Sequence, residues 1–201
     1  ALIALNVFSF LLFDETFASR SMLQFRYQYL HLESDQPAFY QFITYQFLHG
    51  DTMHLLGNML FLWVFGNGVN GKMRHGPYVL FYLAGGIFAG LGHAMLHRNP
   101  LAGASGAVAA VTTAYLVLFP RSHVTIMLWL FFFIHFFEVP AMFIIGLKII
   151  VWDNVIAPSL GESERVAHHA HLAGYLFGFV GALFMLLIRA LPRDQFDMLA
   201  L

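Results

Sequence analysis

The chain has 201 residues, 59% of them hydrophobic and 10% charged, a formal net charge of −1 and a mean hydropathy of +0.70. That is too apolar for a soluble domain, and the charge leaves no electrostatic footprint for nucleic acid. With no cysteine, disulfides, thiolate metal sites and a cysteine nucleophile are excluded.

Crossing a hydrocarbon core of about 30 Å takes about 20 residues of helix. Six apolar stretches approach that length, at about 1–17, 54–72, 76–97, 105–119, 139–157 and 169–190. They predict an all-α polytopic membrane protein, a single membrane domain over 1–201 with six spans in a lipid bilayer. The first stretch opens at Ala1, inside an apolar run without a methionine or a basic flank; it reads as a trimmed core, not a signal peptide. Residues 18–53 mix rings with scattered charges ("FRYQYLHL", "FYQFITYQFLHG") and predict an interfacial loop.

The second stretch carries "MHLLGNMLF", with His54 and Asn58 four apart and so on one helix face. Polar groups there are costly unless they line a polar cavity, and both side chains donate hydrogen bonds suited to an oxyanion. The third stretch ends with His93 and His97, also four apart. After it, "NPLAGASGAVAAVTTAY" turns on Gly103 and restarts a helix at Ser105 that Pro120 ends. A helix from Ser105 to Phe119 is about 22 Å long, too short to cross the core. Its start must lie below the surface, where broken backbone is tolerated only beside a protein-enclosed cavity. The positive end of its dipole favours a developing anion. On its own, the G-x-S-G turn reads more readily as a tight turn with close packing and a serine N-cap.

Segment 124–138, "VTIMLWLFFFIHFFE", is apolar but short and is followed by Pro140, which predicts an interfacial or re-entrant piece before the fifth stretch. Lys148 and Asp153 lie inside that stretch without a convincing partner, and Asp153 is expected to snorkel to the interface. The last stretch begins "AHHAHLAGYLFGFVGALF", with Gly174 and Gly178 following His171 at helical spacing. Ser105, Ala109 and Thr112 or Thr113 form a matching small-residue stripe, so the two helices can approach closely and bring Ser105 against His171. A histidine there takes the serine proton and returns it to a leaving amine. Phe143, Trp152 and the loop 157–169 are candidates for a gate over this site.

H-x-x-x-N at His54 and Asn58, G-x-S-G at 103–106 and A-H-x-x-G-x-x-x-G at 170–178 resemble the rhomboid intramembrane serine proteases, as does connecting text from about residue 40 to 190. The resemblance implies a six-helix bundle whose short central helix carries the nucleophile, with Ser105 as nucleophile and His171 as general base in a dyad without an acidic third member. It further implies that His54, Asn58 and the serine N–H hold the oxyanion, that transmembrane proteins are the substrates, and that no cofactor or metal is needed. Three positions depart from the family pattern: Tyr40-Gln41 replaces a tryptophan–arginine pair, Asn70 a glutamate, and Ala109 a tyrosine that stacks on the catalytic histidine. The imidazole must then be oriented from the fifth or second helix.

Lys72, Arg74, Arg121, Arg189 and Arg193 fall on one side of the six-span arrangement, against Arg20, Arg26, Arg98 and Arg165 on the other. This predicts both termini in the cytoplasm, and the expected location is a plasma (inner) membrane. Two rivals remain. One is a catalytically silent relative that only binds membrane proteins, which loss of Ser105 or His171 would have signalled. The other is a metal or haem site built on His93, His97, His168, His169 and His171, for which "HAMLH" lacks the glutamate of a zincin motif.

Overall fold

The computed structural model describes residues 1–16, 18–130, 132–156 and 168–200. It is predominantly helical. Helix α1 (Leu2–Phe13) is followed by α2 (Arg20–Phe25), which runs into a π-helical turn at Arg26–Leu30, and by the short α3 (Gln41–Thr44). Then come α4 (Thr52–Val64), α5 (Gly66–Met73), α6 (His75–Leu96) and α7 (Ser105–Leu118). A two-stranded sheet, β1 (His123–Leu130) and β2 (Phe133–Pro140), precedes α8 (Ala141–Leu147), which continues as a π-helical stretch Lys148–Ile156. The last long helix is α9 (His168–Leu187). Among the described residues, α6 and α9 are the two helices long and apolar enough to cross a membrane by themselves.

The sheet corrects the all-α expectation. Where 124–138 reads as an interfacial or re-entrant piece, the chain folds into an antiparallel hairpin, with His123 opposite Pro140 and Leu130 opposite Phe133. The physical reason lies in the residue types: Val124, Ile126, Phe133, Ile134, Phe136 and Phe137 are β-branched or aromatic and fit a pleated surface better than a helix. Both faces of the hairpin are largely exposed.

The core forms where α1, α4, α6, α7 and α9 meet. Every side chain from Gly106 to Ala114 of α7 is buried, and the α7–α9 contact is the most extensive between helices. Small residues make it possible. A Cβ on Gly174 would strike the Gly106 carbonyl oxygen, and one on Gly178 would strike the Ala110 carbonyl oxygen. The two backbones therefore touch, as small-residue helix pairs do in lipid. Thr113 Oγ1 fastens the contact by donating to the Tyr175 carbonyl at 2.8 Å.

The loop 18–53 is tied down by buried polar groups. Arg26 is buried and donates to the Phe13 carbonyl at 2.8 Å and the His49 carbonyl at 2.9 Å, joining the end of α1 to the approach to α4. Gln41 Oε1 accepts from the Ala38 N–H at 2.9 Å, and Leu32 exchanges backbone hydrogen bonds with Leu101, just before the Gly103 turn.

Candidate active site

Gly103 is the pivot of the site. Its φ of +136° lies in the region that L side chains rarely adopt, so only glycine makes this turn without strain. Its N–H donates to the Tyr45 carbonyl at 3.0 Å. Where a Cβ on Gly103 would stand, His54 Cε1 is 2.9 Å away, His54 Nε2 3.2 Å and Ser105 Oγ 3.6 Å. The missing side chain is therefore the space in which the His54 ring and the Ser105 hydroxyl face one another.

Asp51 sets the position of His54. It caps α4 by accepting from the His54 N–H at 2.8 Å, which fixes the register of the helix. One turn on, Asn58 is 8% exposed, and its Nδ2 is buried without a hydrogen-bond acceptor among the described residues. A buried amide donor without an acceptor is ordinarily costly. It is also a donor available for a negative charge.

Ser105 opens α7, where the first-turn N–H groups have no acceptor within the helix. The next residue, Gly106, packs on the Gly174 backbone and lies close to the Ala170 carbonyl. His171 stands between those two α9 residues, is 7% exposed, and is within electrostatic range of His54. The start of α7 and the His171 turn of α9 are thus in contact, but Ser105 and His171 make no hydrogen bond. Catalytic hydrogen bonds are often long without substrate and tighten on binding.

Sequence reasoning missed the surroundings of His171 on its other side. Asp153 does not snorkel: it is 4% exposed, with Lys148 Nζ at 3.1 and 3.0 Å from its two carboxylate oxygens. The pairing was hidden because it depends on the π-helical register, which brings a residue beside the one five positions later. Ala109, in place of the stacking tyrosine, packs its methyl beside Gly174. Phe143 stands outside the bundle, 70% exposed, on a groove with Met142, Gly146 and Leu147. The Trp152 side chain and residues 157–167 of the proposed gate lie outside the described residues. His93 and His97 stack with centroids 5.1 Å apart, and His97 Nε2 pairs with His169 Nδ1 at 2.6 Å.

The family model for the Rhomboid domain matches residues 36–188, which covers α3 through α9 and all of the residues above. The chain is also 41% identical over 81 residues to the Rhomboid-like protein 11, chloroplastic, of Arabidopsis thaliana. That alignment covers 39% of this chain and 29% of that protein's length.

Proposed function

Because the chain belongs to the rhomboid family, and is therefore a membrane protein, we propose that it is an intramembrane serine endopeptidase that cuts transmembrane segments of other membrane proteins. Ser105 attacks the scissile carbonyl while His171 takes its proton and later delivers it to the leaving amine. His54 Nε2, Asn58 Nδ2 and the Ser105 N–H receive the oxyanion at the positive end of α7. In this reading the chain is one six-span domain with both termini cytoplasmic, and the site opens toward the outer face. The observation that carries the proposal is the Gly103 turn, which holds the Ser105 hydroxyl and the His54 ring around one small space, where the start of α7 meets the His171 turn of α9.

The test uses the purified chain in liposomes with a generic transmembrane substrate and a serine-reactive fluorophosphonate. Wild type is expected to cleave and to label; Ser105→Ala and His171→Ala should each lose both activities while melting like wild type. Cleavage by either variant would refute the mechanism. A second reading, a silent binding module, is favoured by the missing Ser105–His171 hydrogen bond. It forecasts capture of the substrate with neither cleavage nor labelling.

A further inference from the structure

The fifth span carries charges that the serine chemistry above does not use. Lys148 and Asp153 form an ion pair within the π-helical stretch, and Tyr175 of α9 closes the group. Its hydroxyl donates to Asp153 Oδ2 at 2.6 Å and accepts from Lys148 Nζ at 2.7 Å. A lone carboxylate inside a membrane bundle is expensive, and this one has both a counter-charge and a hydrogen-bond donor. Lys148 Nζ is shared between the two carboxylate oxygens, 3.0 Å from Oδ2 and 3.1 Å from Oδ1, while the Tyr175 hydroxyl serves Oδ2 alone. The other oxygen, Oδ1, lies 3.7 Å from His171 Nδ1. That ring nitrogen is buried and has no hydrogen-bond partner among the described residues.

We propose that Asp153 is the positioning residue for the general base, making a serine–histidine–aspartate relay whose carboxylate comes from the fifth span. The inference rests on the protease reading. Closing 3.7 Å to hydrogen-bond length needs a shift of under about 1 Å. With Nδ1–H directed at Asp153 Oδ1, the ring is fixed in the tautomer that leaves Nε2 free to accept. When Ser105 Oγ bonds to the scissile carbon, its proton moves to Nε2 and the ring becomes a cation, with the ionised carboxylate beside it. The same proton then leaves from Nε2 to the departing amine, and Asp153 takes up none. Lys148 and Tyr175 hold the carboxylate in place throughout. This supplies the orientation that Ala109 does not.

A purely structural role is the competing explanation: the cluster would only tie the fifth span to α9. Asp153→Asn alone strands the Lys148 charge, so the decisive variant is the neutral pair Lys148→Met/Asp153→Asn. Turnover and KM on a transmembrane substrate, the rate of fluorophosphonate labelling and the melting temperature are measured for it and for Asp153→Glu. The expected result for the pair is a kcat lowered by about 10⁴-fold, the loss when the carboxylate of a serine–histidine–aspartate triad becomes its amide. KM and melting temperature should stay near wild type, labelling should slow in parallel, and Asp153→Glu should recover part of the rate. A pair that folds and turns over like wild type overturns the inference and leaves the protease reading standing. An activity loss that follows the melting temperature also overturns it. Should the pair fail to fold, Tyr175→Phe loosens the same carboxylate; it should lower kcat several-fold at constant KM, and an unchanged kcat would sink the idea. A wild-type chain that neither cleaves nor labels brings down both readings together.

Discussion

His54 and Asn58 occupy one face of α4 but meet different surroundings: His54 borders the Gly103 space, whereas Asn58 Nδ2 is buried without an acceptor among the described residues. If both serve the oxyanion, His54→Ala and Asn58→Ala should each lower kcat by about 10²–10³-fold with little change in KM, because the bonds form in the transition state. The melting temperature, measured in the same detergent, should barely move. An Asn58 that merely ties helices together would instead lose stability and turnover in proportion. The placement of these residues was legible in the sequence because helical spacing alone puts His54 beside Asn58, and a proline–glycine break alone marks the start of α7. Asp153 was not legible in that way. Its partners lie five residues back in a π-helical register and across the bundle at Tyr175, and a reading based on ordinary helical spacing pairs it with neither.

At the scale of elements, the α7–α9 contact depends on glycines in a way that single substitutions can measure. Gly178→Val forces a side chain into the Ala110 carbonyl, so it should cost at least the roughly 1–3 kcal/mol of ordinary overpacking and lower the melting temperature accordingly. Gly71→Ala in α5 is the contrast: a Cβ there meets nothing, and a helical alanine should add about 0.5–1 kcal/mol. Equal effects from the two would show that glycine content matters, not its location. The close approach of these helices was readable from the small-residue stripes, which need only local spacing. The hairpin at 123–140 was not, because an unbroken apolar run carries no two-residue alternation to separate a strand from a buried helix. Arg26 was likewise missed as an anchor, since its acceptors at Phe13 and His49 lie 13 and 23 residues away in the chain.

For the whole molecule, stability should depend on pH through the loop that Arg26 holds. Burial pushes His49 down to about 3, with His54 and Arg26 as neighbouring charges acting in the same direction. Its folded value lies below the ordinary 6.5, so the unfolded chain takes up the proton first; stability is complete above about pH 6.5 and falls as pH drops toward 3. Between pH 6.5 and 5, above the usual carboxylate range, wild type should lose melting temperature. His49→Phe, which keeps a ring where neither ring nitrogen has a hydrogen-bond partner among the described residues, should flatten that slope. An identical slope in the variant would assign the effect to other groups. The length of α7 also bears on how the protein is made. Fourteen residues span about 21 Å, less than the hydrocarbon core, and α9, which covers more of α7 than any other element, starts about 50 residues after Leu118. At about 5–20 residues per second, a ribosome takes several seconds to cover that distance. Through that interval a nascent chain holds Ser105 without His171 or a settled helix to present it. In the protease reading, birth order itself keeps the enzyme harmless to the proteins being inserted beside it, until α9 is in place.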